Sequence, residues 1–354
     1  MPPLRLSSLR GVMAVMCALV LTGCSSVGFY AQAVQGHMAL MRARVPLDQA
    51  LSGSALSEVE RRKLEIAREA RRYAVTELGL PDNGSYTSWV KLDRPAVTWN
   101  VVATQPYSMR PEQWCFPIAG CLSYRGYFER ADADRYAASL ADQGLDVAVN
   151  GSAAYSSLGW FEDPLVSTMM RGSDTSLVGV LFHELAHQQL YVSDDSSFNE
   201  SFATFVELAG VEQWLRDADQ AQQAAPWRAQ RTRRDAFVAL LADTRKRLTD
   251  AFSSGGEPAQ LQAAKDAEYA RLSRDYQSLK ASWGGYSGYD SWFRRPVNNA
   301  RLAGVGTYTQ WVDAFAALFE QSGRDFHRFF ESAAALGELP RAERRERLLA
   351  LSPG

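Results

Sequence analysis

Leu181-Phe-His-Glu-Leu-Ala-His-Gln-Gln189 places two of the chain's four histidines, His183 and His187, four residues apart, with Glu184 between them. Val178, Val180, Leu181, Phe182, Leu185 and Leu190 are apolar, so the segment reads as a half-buried helix. On a helix this spacing puts both imidazoles on one face. There they can hold a single metal ion at Zn–N distances near 2 Å, with Glu184 beside a water on that ion. Two imidazoles and a carboxylate on an otherwise apolar stripe need a reason to point inward, and metal-assisted hydrolysis supplies one.

Two imidazoles require a third protein ligand. No further histidine follows at short spacing. Instead, Ser197-Phe-Asn-Glu-Ser-Phe-Ala-Thr-Phe-Val-Glu207 reads as a second helix carrying Asn199 and Glu200, with twelve residues between His187 and Glu200. That length accommodates the end of the first helix, a polar loop and an antiparallel return. Glu200 has a competing reading as the back half of a capping box opened by Ser197; if the cap is Ser196 or Asp195, Glu200 is free to face the metal. Glu200 is the expected third ligand, with Glu207 in reserve. Glu207 or Thr204 is expected to orient a histidine.

These residues resemble the gluzincins, zinc peptidases with HExxH on one helix and a glutamate on the next, although the spacing here is shorter than in the thermolysin-like pattern. A closer resemblance is to a bacterial family described as putative aminopeptidases, whose members are predicted lipoproteins. It is carried by HELAHQ at 183–188, FNESFAT at 198–204, Phe116-Pro-Ile-Ala-Gly-Cys121, Tyr124-Arg-Gly-Tyr127 and Tyr155-Ser-Ser-Leu-Gly-Trp-Phe161. The resemblance spans most of the chain after its first segment and implies an aminopeptidase with one zinc ion per chain.

At the N-terminus, Arg5 and Arg10 precede the apolar run Gly11–Leu21, too short for an ordinary membrane span and of the form of a secretion signal. The run leads into Leu21-Thr-Gly-Cys24, which resembles a bacterial lipobox, so residues 1–23 are expected to be removed and Cys24 lipidated. Ser25 and Ser26 resemble an outer-membrane address, which implies a protein facing the periplasm. Acyl chains contribute about 0.8 kcal/mol per buried CH2, and several together anchor stably. The membrane is therefore an expected partner through Cys24. Cys115 and Cys121 remain as a pair; in an oxidising compartment they are expected to form a disulfide, the alternatives being two buried thiols or a second metal site without neighbouring histidines.

Loss of Arg5 and Arg10 with the signal takes the formal net charge from −2 to −4, which offers nothing to nucleic acid. With 46% hydrophobic residues, about 330 residues can bury one large core or two modest ones. The expected fold is α+β and zincin-like: a mixed region over 24–190 ending in the HExxH helix, then a helical region over 191–354. Ala55–Leu80 reads as a helix with Leu56, Val59, Leu64, Ile66, Ala67 and Ala70 on its stripe, Ala96–Ala103 as a strand, Gly126–Phe128 as a strand, Asp132–Gln143 as a helix, and Leu145–Val149 as a strand. These strands suggest one small mixed sheet, with Ala153–Ser167 as its substrate-binding edge or as an aromatic core loop. Downstream, stripes at Phe237, Leu240, Leu241, Leu248, Phe252 and at Tyr269, Leu272, Tyr276, Leu279 suggest a helical hairpin.

The expected chemistry is peptide-bond hydrolysis. Zinc brings the pKa of a water toward about 7 and polarises the carbonyl, and Glu184 carries the proton to the leaving amine. Tyr308 is the candidate oxyanion donor and His327 the second choice. Glu162 or Asp163 could receive a free α-amine in an exopeptidase. The competing class is a lipid-anchored, zinc-containing scaffold or chaperone-like protein that cuts nothing; Glu184 speaks against it, since a structural site has no use for a carboxylate at an open position.

Overall fold

The computed structural model describes residues 28–116, 120–157, 159–193, 195–217, 221–305 and 309–352. Cys24, the signal segment and Tyr308 lie outside the described residues. The fold is mixed α+β, with helix predominating and the strands gathered in small sheets.

The chain opens with helix α1 (28–42), followed by β1 (Val45–Pro46), α2 (Leu47–Ser52) and α3 (Glu58–Thr76). A capping box sets the start of α3: Ser57 Oγ accepts the Glu60 N–H at 3.2 Å, and Glu60 Oε2 accepts the Ser57 N–H at 2.9 Å. The helix is therefore shorter at both ends than the periodicity of 55–80 suggests. Leu64, Ala67 and Ala70 are buried, but Val59, in the first turn, is 66% exposed and does not belong to the stripe.

Next come β2 (Ser88–Val90), β3 (Thr98–Thr104), β4 (Trp114–Phe116), β5 (Gly120–Leu122), β6 (Arg125–Tyr127), α4 (Arg130–Ala141), β7 (Asp146–Ser152) and β8 (Leu165–Val166). They form three sheets: the strands expected at 96–103, 126–128 and 145–149 pair with one another as β6-β3-β7, while β8, from the expected edge, joins β1 and β2 instead. Mixed pairing is confined to β1-β2-β8; β6-β3-β7 is antiparallel, with Asn100 opposite Gly126 and Val101 opposite Val149. In the β4-β5 ribbon Cys115 lies opposite Cys121, and the two are joined as a disulfide.

The proposed substrate edge at 153–167 is mostly loop. Only Leu165–Val166 is strand, and it is buried beside Trp89 and Val90. The preceding turn closes on itself: the Asp163 carboxylate accepts the Ser157 N–H at 2.7 Å and the Ser157 hydroxyl at 3.0 Å. A side-chain acceptor has captured a donor that an open edge would offer to a partner.

After a 3-10 turn at Ser167–Arg171, the chain continues as α5 (Asp174–Gln189), α6 (Ser196–Asp217), α7 (Ala221–Ser253), α8 (Pro258–Ser282), α9 (Asp290–Phe293), α10 (Asn299–Ala303), α11 (Val312–Gln321), α12 (Phe326–Glu338) and α13 (Arg341–Leu351). Helices α7 and α8 form the expected hairpin, with Phe237, Leu241, Leu248, Leu272 and Tyr276 in their own small core. Lys265 ties it to the β-sheet: its Nζ lies 2.7 Å from Asp146 Oδ2 and donates to the Pro106 carbonyl at 3.0 Å. The main core runs from Leu40 to Leu348, with α5 packed between α3 and α6. Beyond α6, Phe198, Phe202 and Phe205 stack on Phe315, Phe319, Phe329 and Phe330 of α11 and α12. Helix α6 is thus held on both sides, which fixes what it presents to α5.

Candidate metal centre

Helix α5 begins where Ser173 Oγ accepts the Ser176 N–H at 3.1 Å. Lys63 pins that end from α3, with Nζ 2.9 Å from Asp174 Oδ1 and 2.7 Å from the Gly172 carbonyl. Leu177, Val178, Leu181, Phe182 and Leu185 fill the core, which rotates His183 and His187 toward α6. Glycines permit the close approach of the two helices. A Cβ on Gly210 would sit 2.8 Å from Phe182 Cδ2, and one on Gly179 would sit 3.2 Å from Glu207 Cγ and Oε1.

The turn between α5 and α6 is set by Asn199. Its Oδ1 accepts the Val192 N–H and its Nδ2 donates to the Val192 carbonyl, both at 2.8 Å. Asp195 caps α6 by accepting the Phe198 N–H at 3.2 Å. The cap is therefore not Ser197, and Glu200 is released from the capping-box role.

Glu200 turns to the histidines instead. Its Oε2 lies 3.4 Å from His183 Nε2 and 3.7 Å from His187 Nε2, and the two Nε2 atoms are 3.2 Å apart. Donors held at 2.0–2.1 Å by a tetrahedral ion stand about 3.3 Å from one another, so this triangle has the right size. Glu200 Oε2 is also buried without a hydrogen-bond donor. Three converging acceptor atoms, one of them an orphaned carboxylate oxygen, are satisfied by a cation. His183, His187 and Glu200 therefore fit a metal ion.

Glu184, Glu200 and Glu207 surround the imidazole pair, and Arg234 Nη1, 3.5 Å from Glu207 Oε1, offsets one of them. Burial works against the His183 imidazolium, but Glu200 and Glu207 outweigh it and hold the group up at about 10. Burial likewise raises Glu200, yet His183 and His187 hold its carboxyl at about 2. Burial pushes Glu184 upward. Glu207 Oε2 lies 3.2 Å from His183 Nδ1, on the side of the ring away from Glu200. Thr204 is buried in α6, and its Oγ1 has no hydrogen-bond partner among the described residues.

Other candidates fall elsewhere. His327 is on the exposed side of α12, its Nδ1 3.6 Å from Glu331, and has no part in the site. A charged, amphipathic helix turned this histidine outward. Glu162 is exposed, its Oε2 3.9 Å from Arg44. Asp163 is fully buried and turned to Ser157, out of reach of a substrate amine. Sequence reading gave no role to Tyr124 or Tyr86. Tyr124 is 39% exposed as a residue, and burial with the charges of Glu200, Tyr191 and Glu184 raises its hydroxyl. Tyr86 is fully buried, at φ +61°, and burial with the charges of Glu184 and Asp163 raises its hydroxyl in the same way. The tract Tyr124–Tyr127 was already conspicuous in the sequence, but a tyrosine's chemistry shows only once its neighbours are known.

Two histidines and a glutamate brought together by neighbouring helices, with Glu184 buried next to His183, make a candidate metal site. The chain belongs to the family described as "Putative aminopeptidase", which matches residues 28–348. No curated protein and no solved structure matches it.

Proposed function

We propose that this protein is a zinc metallopeptidase of the gluzincin type, zincin-like in fold, aminopeptidase-like in action and anchored through a lipidated Cys24 to the envelope membrane, facing the periplasm. The observation that carries the metallopeptidase reading is the triangle of His183 Nε2, His187 Nε2 and Glu200 Oε2, with edges of 3.2, 3.4 and 3.7 Å. Family membership supports peptidase chemistry. The anchor rests on Leu21-Thr-Gly-Cys24, and among the described residues no helix is long and apolar enough to cross a membrane.

His183, His187 and Glu200 would hold the ion. Zinc held there supplies Lewis acidity, polarising a carbonyl and acidifying water. Glu184, next to His183 in a buried setting that favours its protonated form, accepts a proton from the attacking water and passes it to the departing amine. Tyr124, whose hydroxyl feels the charges of Glu200 and Glu184, would donate a hydrogen bond to developing negative charge on the substrate. Glu207 holds the far nitrogen of His183. The substrate is a peptide or protein.

The test compares the full chain with Glu184→Gln, measuring zinc per chain and cleavage of a peptide library. One zinc in both and cleavage by the unaltered chain alone is the expected result; zinc in both and cleavage by neither favours a binding protein.

A further inference from the structure

Helix α1 is apolar on both of its faces. The inner face is seated on the protein: Phe29 packs on Phe116 and Tyr127 with ring centroids 5.4 and 5.5 Å apart, and Gln32 bonds the backbone of Gly126 and Phe128. His37 Nδ1 lies 2.9 Å from the Tyr155 hydroxyl, and Leu40 is buried in the main core. The outer face carries Tyr30, Val34 and Met38, one turn apart, which are 43%, 63% and 40% exposed. No charged residue occurs from Ser25 through Met41; the first is Arg42, at the end of the stripe. Beside the inner face, the exposed Phe161 ring stands 4.3 Å from His37. An apolar stripe left exposed opposite a packed face asks for a partner of its own, although Gln35 is exposed beside it.

We propose that the outer face of α1 lies in the interface of a lipid bilayer, a second and non-covalent contact beside the acyl anchor. This inference rests on the lipidation of Cys24 proposed above. Three residues separate Cys24 from the first described residue of α1, Gly28, and the four steps between them span at most about 14 Å. The headgroup layer on each side of a bilayer is about 5–8 Å thick. The stripe, about 12 Å long from Tyr30 to Met38, is thus tethered close to the acyl chains. Its chemistry suits that position: an amphipathic tyrosine at the start, aliphatic side chains between, and at the end an arginine for anionic headgroups. Because the inner face holds Tyr155 and Phe161 of the loop that ends at Asp163, immersion of α1 also sets how this loop faces the bilayer.

The experiment uses the full chain processed in a bacterial host and reconstituted in phosphatidylethanolamine–phosphatidylglycerol vesicles. A cysteine is introduced at Val34, at Met38 or, as control, at the exposed Val59 of α3, and labelled with an environment-sensitive fluorophore; acylation and the disulfide block the native cysteines. Blue-shifted emission at Val34→Cys and Met38→Cys, quenched by brominated lipids more strongly than at Val59→Cys, is expected. Equal quenching at all three positions overturns the proposal. So does a blue shift that grows with protein density and resists brominated lipid, since a second copy then covers the face. Mass spectrometry of the same sample reads the acyl groups. Their absence defeats the anchor and this inference together, whereas acylated protein without quenching defeats this inference alone.

Discussion

Glu207 Oε2 lies 3.2 Å from His183 Nδ1, the ring nitrogen turned away from Glu200. The carboxylate reaches that place because residue 179, one helical turn before His183, is glycine, and because Arg234 reaches Glu207 Oε1 at 3.5 Å from α7. A carboxylate on Nδ1 fixes the tautomer that leaves Nε2 free to bind metal.

Glu207→Gln is therefore expected to weaken zinc binding about 10–100-fold, read by competition with a chromogenic chelator, and Arg234→Met to weaken it less. Gly179→Ala gives an independent check: it should favour helix by up to about 1 kcal/mol while displacing Glu207 and lowering zinc affinity. Stabilisation with unchanged affinity would show that Glu207 does not orient His183.

Tyr124→Phe removes a hydroxyl that lies under the charges of Glu200 and Glu184. If that hydroxyl stabilises developing charge, kcat should fall about 10²–10³-fold with KM and zinc content unchanged. An unchanged kcat would return the role to another residue, Tyr86 first.

Asp163 supplies a pH dependence of stability. Burial raises its carboxyl to about 6, against the lowering effect of the Ser157 hydrogen bonds. Its unfolded value is about 3.9, so the neutral acid is favoured in the folded protein. The favourable contribution is complete below about pH 4 and lost as pH rises through about 6, amounting to roughly 3 kcal/mol. Asp163→Asn abolishes that titration. Plotted against pH, the Tm of the variant minus that of the unaltered chain should rise between pH 4 and 7; a flat difference would refute the assignment.

Asn199→Ala leaves the Val192 N–H and carbonyl without their partners. A loss on the order of 2–4 kcal/mol is expected from denaturant midpoints, together with weaker zinc binding, because Glu200 follows directly on this clamp. Normal zinc affinity in the destabilised variant would separate the turn from the site.

Much of the site was legible in one dimension. His183, Glu184 and His187 share a face because the helical repeat puts them there, and Glu200 follows at a distance a helix-turn-helix can close. The rest depended on competition among acceptors. Ser197 and Asp195 both offer themselves as caps in the sequence, and only the Asp195 bond to Phe198 shows that Glu200 is free. The sheet was less legible because its strands are short. Pairing partners of two or three residues are chosen by what packs over them, so β1, β2, β4 and β5 went unread, whereas the strands read at 96–103, 126–128 and 145–149 pair with one another as β6-β3-β7.

The sequence by itself determined the metal-binding pattern on α5, the glutamate on the next helix, the helical hairpin and the lipobox-like start, because each is written in local spacing. Tertiary structure alone decided that Glu207 and Arg234 back His183, that Tyr124 and Tyr86 lie under the charges of the site's glutamates, that His327 does not join them, and that α1 keeps an uncovered apolar face. Those relationships join residues far apart in the chain. Their geometry comes from the packing of α5 against α6 and of α1 against the sheet, which no local spacing encodes.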